Sequence, residues 1–264
     1  MNLEAARRLL AITHAPSPKL EEGERTHIDR TSIDFALACR QHEAYCQMLR
    51  DCDAEVRVLD VNCSFPDSVF VEDTAIVLEE VAVMTSMGTV SRRAETKGIE
   101  SELRKHREVE CISLPGSIDG GDVLRIGRQL LVGLSSRTNR AGLNALDAIA
   151  RRHGYKITPV PVSGCLHLKT ACTALPDGTL IVNPAWLDGE ALRGFNRVAV
   201  SESEPWAANV ALVGATVCLA AEHKGTAEMI DRLGFDVRTV ELSEFAKAEG
   251  GVTCLSLLLQ AMAS

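Results

Sequence analysis

A cysteine and a histidine are the first candidates for chemistry in this sequence. Cys254 lies in EGGVTCLSLLL, shortly after a glycine pair, and His167 lies between two leucines in CLHLKT. A cysteine thiolate is a nucleophile, and an imidazole can move protons near neutral pH. A buried thiol and a satisfied core histidine are equally ordinary, and on local sequence alone those interpretations are favoured.

Three carboxylates surround a short apolar run in FPDSVFVEDTA, residues 65–75. They are Asp67, Glu72 and Asp73, and the run is Val-Phe-Val at 69–71. If this run forms a strand, at least one face is buried, and a buried carboxylate is costly unless a cation pairs with it. A guanidinium fits, because it keeps its charge and presents a planar fork to carboxylates. The alternative is that these residues are exposed strand ends or helix caps.

Two arginines occupy equivalent positions in successive parts of the chain. Arg92 in SRR and Arg137 in SSRT each stand where a predicted hairpin leads into a predicted helix. Cations are disfavoured at helix N-termini. This favours an anion-binding role, for example toward a substrate carboxylate, over a pair of ordinary exposed arginines.

Two further carboxylates flank a glycine pair in SIDGGDVL. Asp119 and Asp122 stand on either side of Gly120 and Gly121. Glycine pairs serve tight turns, and they also allow a ligand or another backbone to approach closely. An acidic group here could therefore face a pocket.

The elements that must position these residues recur along the chain. Pairs of apolar strands are predicted at 73–85, 121–133, 170–183 and 207–221, and helices follow at about 91–107, 137–153, 187–195 and 223–233. A further strand follows each helix, and a first unit combines the AITHAP strand, a helix over 31–51 and EVRVLD. About five strand–strand–helix–strand (ββαβ) units would bury their faces by closing into a ring, with a doubly wound α/β fold as the alternative.

Composition limits the partners and the compartment. The chain has 264 residues and a formal net charge of −8, with no basic cluster and no apolar run long enough for a signal peptide or a transmembrane helix. Nucleic acid and membrane partners are therefore not expected, whereas a cationic small molecule suits the charge. Nine scattered cysteines without metal-type spacing indicate a reducing cytoplasm. The oligomeric state is left open, with a homodimer as one alternative.

Taken in order, the strings FPDSVFVEDTA, SRR, IDGGDVL, GLSSRTN, LHLKT, AAN and GGVTCLSL resemble the dimethylarginine dimethylaminohydrolase family. This family belongs to the guanidino-group-modifying enzymes, whose fold is a five-fold pseudosymmetric α/β propeller (pentein) around a central active site. The resemblance covers residue 65 to the C-terminus and implies one catalytic domain over residues 1–264. It implies hydrolysis of an Nω-methylated arginine to citrulline, with no metal or organic cofactor.

The resemblance also implies the role of each site residue. Cys254 would be the nucleophile, His167 the general acid and base, and Asp119 the third member, where some relatives have glutamate. Asp73 and Asp119 would hold the guanidinium, with Glu72 beside them. Arg92 and Arg137 would bind the α-carboxylate, and Phe70 would pack near the alkyl chain. Asp67 and the backbone carbonyls of Glu24 and Ala248 would bind the α-amino group. Some relatives have leucine at the lid position that Glu24 occupies in this sequence. A zinc ion bound to Cys254 and His167 would act as an inhibitor and not as a functional metal.

Other activities are close in chemistry. An arginine or agmatine deiminase would use the same cysteine, histidine and carboxylates, but agmatine lacks the carboxylate that Arg92 and Arg137 would bind. Arginine deiminases generally carry an extra helical insertion, for which this chain has no room. An amidinotransferase, a non-catalytic propeller and a papain-like protease are further alternatives.

Overall fold

The computed structural model describes residues 8–261, which form five small three-stranded sheets. The strands are β1 (Arg8–His14), β2 (Glu55–Leu59), β3 (Ala75–Val77), β4 (Val81–Met84), β5 (Glu108–Cys111), β6 (Val123–Ile126), β7 (Gln129–Leu134), β8 (Lys156–Pro161), β9 (Cys172–Ala174), β10 (Leu180–Val182), β11 (Arg197–Ala199), β12 (Ala211–Val213), β13 (Thr216–Ala220), β14 (Val237–Val240) and β15 (Leu257–Ala261).

All five sheets share one pairing pattern. A central strand pairs antiparallel with one neighbour and parallel with the other, as in the sheets β3-β4-β5, β6-β7-β8, β9-β10-β11 and β12-β13-β14. The antiparallel pair is a hairpin, and the parallel partner is reached through a crossover that contains helical turns. The fifth sheet has the order β15-β1-β2, so the end of the described chain pairs with its beginning and closes the ring.

The α-helices lie in the crossovers and in the loops near the ring axis. They are α1 (Phe35–Asp51), α2 (Thr96–Leu103), α3 (Arg140–Ala150), α4 (Leu168–Ala171), α5 (Lys224–Arg232) and α6 (Ser243–Ala246). The predicted helices at 31–51, 137–153 and 223–233 are confirmed as α1, α3 and α5. The predicted helix at 91–107 is a 3₁₀ segment (Val90–Glu95) followed by α2, and the one at 187–195 is reduced to the 3₁₀ turn Gly189–Leu192.

Polar side chains determine where the two longest helices begin. Asp34 caps α1 by accepting a hydrogen bond from Leu37 N at 2.9 Å, and Asn139 caps α3 by accepting one from Gly142 N at 2.8 Å. Each satisfies a backbone donor that the first helical turn leaves without a partner. The caps explain why these helices begin three to four residues later than hydrophobic spacing alone predicts.

The first strand of each hairpin faces the ring axis. A cavity of about 210 Å³ is lined by residues of β3, β6, β9, β12 and β15. Glu72 and Lys169 also line it, and Lys169 Nζ donates to Glu72 Oε1 at 2.6 Å. This ion pair lies beside the Cys254 loop, at the end of the cavity nearest the candidate site.

Five apolar clusters, and not one central core, hold the ring together. One lies between α1, α6 and the β12–β14 sheet, and Tyr45 and Phe245 are among its fully buried members. The other clusters lie between successive sheets and their helices. Each sheet therefore buries its faces against its neighbours, as a ring of small units requires. The predicted five-unit α/β propeller is confirmed.

The strand expected at 69–71 is not formed. The run at 69–71 lies in a loop that leads into a 3₁₀ helix, Val71–Thr74, although its residues are buried as expected. His167 precedes α4 and does not lie in a strand. Among residues 8–261, no helix has both the length and the apolar character needed to cross a membrane.

Candidate active site

Cys254 lies in a tight loop just before β15. Gly251 N–H donates toward Cys254 Sγ at 3.4 Å, and the Cys254 carbonyl accepts a hydrogen bond from Glu72 N at 3.2 Å. The second bond attaches the cysteine loop to the 3₁₀ helix that carries Glu72 and Asp73. The thiol is partly exposed and faces a pocket.

The environment of Cys254 favours its neutral form. Burial raises the pKa of the thiol to about 12, and the negative charges of Glu72 and Asp73 act in the same direction. The free protein therefore holds a thiol at neutral pH. A cationic ligand beside the sulfur would offset those carboxylates and lower the pKa of the thiol.

His167 lies between two carboxylates on the opposite wall. Its Nε2 is 3.1 Å from Asp119 Oδ2, and its Nδ1 is 3.8 Å from Asp73 Oδ1. Burial alone would lower the pKa of His167, but Asp73, Asp119 and Asp122 outweigh it and raise the pKa to about 9. The imidazole is therefore protonated at neutral pH and is ready to act as an acid.

The glycine pair of SIDGGDVL allows this close packing. A Cβ on Gly121 would lie 2.7 Å from His167 Nδ1 and 2.8 Å from Asp73 Oδ1, and one on Gly120 would lie 1.9 Å from the Glu72 carbonyl. Both φ angles are negative, so close approach and not a left-handed turn is what requires glycine. Sequence reasoning had left both explanations open.

Asp119 serves the histidine and not the pocket. Its Oδ2 contacts His167 Nε2, and its Oδ1 accepts a hydrogen bond from Gly88 N at 2.8 Å. It is fully buried and does not line the pocket. The expectation that Asp119 also holds a guanidinium is therefore not supported by this geometry, because both of its oxygens are engaged behind His167. Asp73 is the carboxylate beside His167 that faces the pocket.

Asp73 is held in place by a buried arginine. Arg92 Nη1 donates to Asp73 Oδ2 at 2.7 Å, and Gly121 N donates to Asp73 Oδ1 at 3.0 Å. Burial would raise the pKa of Asp73, but the charges of His167 and Arg92 lower it to about 2. Asp73 therefore stays ionised.

Most donors of Arg92 go to protein acceptors. Besides Asp73, its guanidinium donates to the Glu95 carboxylate and to the Phe70 carbonyl, each at 3.0 Å in the shortest contact. In contrast, within residues 8–261 the Arg137 guanidinium donates one side-chain hydrogen bond, from Nη2 to Thr26 Oγ1 at 3.1 Å. Both arginines line the pocket. Arg137 is the better placed of the two to bind a substrate carboxylate, and Arg92 mainly orients Asp73.

Glu72 also lies behind the pocket. Its Oε1 accepts from Lys169 at 2.6 Å, and its Oε2 accepts from the Thr253 hydroxyl at 2.8 Å. Thr253 Oγ1 in turn accepts from Asn209 Nδ2 at 3.0 Å. Glu72 therefore supports the cysteine loop and contributes negative charge beside the pocket, and its place next to a bound guanidinium stays a prediction.

A loop over residues 23–30 covers the pocket, and two carboxylates hold it. Asp67 Oδ2 accepts a hydrogen bond from Glu24 N at 3.0 Å. The Glu249 carboxylate accepts from Thr26 N at 2.5 Å and His27 N at 2.7 Å. We call residues 23–30 the lid. With the lid closed the pocket measures about 20 Å³, room for roughly one water, so an arginine-sized ligand requires the lid to move.

The remaining predicted residues meet at this pocket. Its lining consists of Glu24, Asp67, Phe70, Asp73, Arg92, Arg137, Leu166, His167, Ala248, Glu249, Gly250 and Cys254. Sequence reasoning placed neither Leu166, Glu249 nor Gly250 there. Gly250 had a usable signal, because it belongs to the glycine pair before Cys254. Glu249 had none, since its left-handed backbone (φ 58°) and its contact with the lid are visible only in three dimensions.

One group of metal-type donors lies in the described part of the chain. Asp73, Asp119 and His167 each place a donor atom within 4.8 Å of the others. The oxygens of both aspartates already accept hydrogen bonds from Arg92, Gly121 and Gly88 or contact His167. The three side chains therefore form a hydrogen-bonded acid–base cluster, in which the carboxylate oxygens are already engaged by protein groups.

A five-unit α/β propeller with a cysteine, a histidine and ionised carboxylates at its axis defines the class of cysteine-dependent guanidino-group-modifying proteins. Comparison with known sequences agrees. A family model described as "N,N dimethylarginine dimethylhydrolase, eukaryotic" matches residues 24–178. An N(G),N(G)-dimethylarginine dimethylaminohydrolase from Streptomyces coelicolor is 43% identical over 251 residues, or 95% of this chain and 96% of that protein. The chain belongs to the dimethylarginine dimethylaminohydrolase family.

Solved structures give the same fold. The Pseudomonas aeruginosa enzyme, as a cysteine-to-serine variant complexed with citrulline, aligns with a TM-score of 0.89 and 34% identity over 96% of this chain and 99% of that one. A dimethylarginine dimethylaminohydrolase with a histidine-to-glycine substitution, as an adduct with S-methyl-L-thiocitrulline, aligns with a TM-score of 0.90, 34% identity and the same coverage.

Proposed function

We propose that this protein hydrolyses Nω-methylated L-arginine to L-citrulline and the corresponding methylamine. The observation that carries the proposal is one pocket that joins Cys254, His167 and the ionised Asp73 to Arg137. Such a pocket matches both charged ends of an arginine derivative. The similar Streptomyces protein is named for this reaction, and the similar Pseudomonas structure contains its product citrulline.

Substrate binding prepares the nucleophile. Asp73 holds the guanidinium, Arg137 binds the α-carboxylate with Arg92 beside it, and Phe70 packs near the alkyl chain. Asp67 and the carbonyls of Glu24 and Ala248 receive the α-amino group after the lid rearranges. The arriving cation offsets the charges of Glu72 and Asp73 and so favours the Cys254 thiolate, with loss of the thiol proton.

The chemistry then proceeds in two halves. The Cys254 sulfur attacks the guanidinium carbon, His167 donates its proton to the departing amine, and the C–N bond breaks to leave a covalent S-alkylthiouronium. The neutral His167 next takes a proton from water, which attacks the same carbon. The C–S bond breaks, the remaining hydroxyl proton passes to the released sulfur to restore the Cys254 thiol, and citrulline leaves. Asp119 keeps the imidazole oriented and stabilises its charge through both halves.

A citrulline assay with purified protein tests the proposal. Asymmetric dimethylarginine, monomethylarginine, arginine and agmatine are offered separately to the wild type and to Cys254→Ser. We expect turnover of the methylated arginines that the substitution abolishes. Turnover of arginine or agmatine alone would move the assignment to a deiminase, and citrulline formation by Cys254→Ser at the wild-type rate would overturn the role of the cysteine.

Domain organisation, compartment and oligomeric state are proposals too. We infer that residues 1–264 act as one catalytic domain and that the protein works in a reducing cytoplasm, and we propose a homodimer as one alternative for the oligomeric state. Nine free thiols support the reducing compartment, because such compartments keep cysteines unpaired. Light scattering on the purified protein measures the oligomeric state directly.

A further inference from the structure

A second cavity, of about 110 Å³, adjoins the catalytic pocket and shares Glu249 and Gly250 with it. Part of its wall is apolar and comes from Ile28 of the lid, Trp206 and Val252. The reaction proposed above uses no residue that lines this cavity alone. We call it the accessory cavity.

Its aromatic wall is held rigidly. Trp206 packs against Trp186 with ring centroids 4.7 Å apart at 51°. Trp186 in turn lies against Gly164, where an added Cβ would come within 2.7 Å of the indole. A fixed indole that lines a cavity offers a polarisable surface to cations and to methyl groups.

A buried histidine in the same cavity makes no hydrogen bond. His223 is 8% exposed, and its Nε2 lies 3.6 Å from Glu222 Oε1, which is too long for a hydrogen bond. Its ring donates to and accepts from no other residue among 8–261. Burial lowers the pKa of His223, so the ring is neutral at pH 7 and keeps an acceptor nitrogen. The ring nitrogens keep some accessible surface and the residue lines the cavity, so a ligand in the cavity can reach them.

The charge of the lining determines the ligand class. Glu222 and Glu249 contribute carboxylates, and within the described chain the lining includes no lysine or arginine. Anionic ligands are therefore disfavoured. A small ion with N–H donors and alkyl groups suits this lining, because the His223 imidazole and the Glu222 carboxylate offer acceptors and Trp206 and Val252 offer apolar surface.

We propose that the accessory cavity is a binding site for a small alkylammonium ion. The methylamine or dimethylamine that the proposed reaction releases belongs to this class, because such amines are protonated at neutral pH. The binding claim itself is independent of that reaction. It rests on the cavity, the unpartnered His223, the carboxylate of Glu222 and the fixed indole of Trp206.

The location of the site connects it to catalysis. Gly251 lines the cavity, and its N–H points to the Cys254 sulfur at 3.4 Å. Glu249 lines it too and holds the lid through Thr26 and His27. An ion in the cavity would therefore contact the backbone that positions the nucleophile and the carboxylate that closes the lid. We expect occupancy to change turnover without competing with the substrate.

Binding can be observed without any activity. The chain has two tryptophans: Trp206 lines the cavity and Trp186 packs against it, so intrinsic fluorescence reports on the site. Dimethylammonium chloride is titrated against sodium chloride at equal concentration, and saturation-transfer NMR of the methyl protons provides a second reading. We expect a saturable change with dimethylammonium alone.

Matched variants localise the binding. Glu222→Gln should weaken dimethylammonium binding about tenfold, the loss of one charge-assisted hydrogen bond, and His223→Leu should also weaken it. Glu228→Gln on α5 removes an equal charge from an exposed side chain outside the cavity and should not. Circular dichroism verifies folding, and His223→Leu decides the matter if Glu222→Gln does not fold. No saturable response by either method, or equal affinities in the cavity variants and Glu228→Gln, would overturn the proposal.

The effect on turnover is a separate measurement and depends on the proposed function. With active enzyme, dimethylammonium should change kcat by a mechanism that is noncompetitive toward methylarginine and is lost in Glu222→Gln. Competitive inhibition that persists in Glu222→Gln would indicate binding at the catalytic pocket and would contradict the coupling. A protein that does not hydrolyse methylarginine but still binds dimethylammonium would contradict the proposed function and would leave the proposal for the accessory cavity unaffected.

Discussion

The nucleophile is held in a protonation state that cannot react until a ligand arrives, whereas the acid is already protonated. Burial and two carboxylates raise the pKa of Cys254 to about 12, while three carboxylates raise that of His167 to about 9. The free site therefore contains a thiol and an imidazolium. A cationic substrate changes the first pKa and leaves the acid in place, which links ionisation of the nucleophile to recognition.

Replacing His167 should remove proton transfer and leave binding. We expect His167→Asn to lower kcat about 10²- to 10⁴-fold with a much smaller change in KM, because general acid–base catalysis contributes rates of that order. Steady-state citrulline formation measures both constants, and His153→Asn on the outer side of the ring is the matched control. A kcat within a few-fold of the wild type would rule out His167 as the acid.

Replacing Asp119 should move the pH profile. The reactive form, a thiolate beside an imidazolium, holds one proton fewer than the free thiol–imidazolium site. The rate constant kcat/KM should therefore rise with pH through the lower of the two free-enzyme pKa values, which is that of His167 at about 9. Asp119 raises that pKa, so Asp119→Asn should shift the acidic limb to lower pH and reduce kcat through poorer orientation of the ring. Asp177→Asn, in an exposed turn, should leave the limb unchanged. An acidic limb that does not move in Asp119→Asn contradicts the assignment.

The order of residue types along the sequence predicted most of the residues that meet at the pocket. The hydrogen-bond partners of these residues depend on three-dimensional packing. Cys254, His167 and Asp73 converge on one pocket as expected. Asp119 contacts His167 and does not line the pocket, and most of the Arg92 N–H groups donate to other protein groups. Neither outcome is encoded in local spacing, because each depends on which neighbouring carboxylate or backbone N–H lies within hydrogen-bond reach.

At the scale of elements, the lid is the part that must move. Its backbone N–H groups are held by Asp67 and Glu249, and the closed pocket of about 20 Å³ is too small for an arginine derivative. The two carboxylates therefore control an opening that precedes substrate entry. Asp67 binds the lid near its start, at Glu24, and Glu249 binds it near its middle, at Thr26 and His27, so losing one carboxylate should loosen the lid without unfolding the ring.

Weakening the Glu249 contact tests this view. Glu249→Gln keeps the size of the side chain but loses the charge that accepts two N–H groups, which destabilises the closed lid. Because the closed lid excludes substrate, we expect a KM about tenfold lower with little change in kcat. Limited proteolysis should also cut the lid faster. Glu241→Gln, also close to α6 and exposed, is the control. A KM and cleavage rate equal to the control would show that Glu249 does not hold the lid.

Elements were easier to predict than their exact form. Alternating apolar residues and turn residues correctly located the hairpins, and 3.6-residue spacing located α1, α3 and α5. The short apolar run at 69–71 is typical of a strand, but in the structure it is buried in a loop. Apolar character reports burial, and in runs this short it does not distinguish a strand from a buried turn.

At the scale of the whole molecule, the ring is closed by pairing the first and last strands of the described residues. Arg8 stands opposite Ala261 in the β1–β15 register, and β15 directly follows the Cys254 loop. The strand that completes the first sheet thus also positions the nucleophile. Sequence analysis placed β1 and β2 together but not β15, because a pairing between residues about 250 apart leaves no local signal.

Circular permutation tests the closure. Joining the native ends through a short linker and opening the chain at Gly214, the turn between β12 and β13, should preserve the fold and activity within about tenfold, because neighbouring ends and an exposed turn tolerate such changes. Thermal unfolding and the citrulline assay measure the result. Deleting residues 257–264 should instead prevent folding, and an active truncated protein would contradict the structural role of β15.

The most direct test of the account is the mass of the protein during turnover. Acid quench of the reaction and peptide mass spectrometry should find, on the peptide that carries Cys254, a gain equal to citrulline less one water. The same gain should appear with asymmetric dimethylarginine and with monomethylarginine, because each loses its methylated amine. Cys254→Ser should show none. A gain that retains the methyl groups, or an adduct on another cysteine, would contradict cleavage of the C–N bond at Cys254.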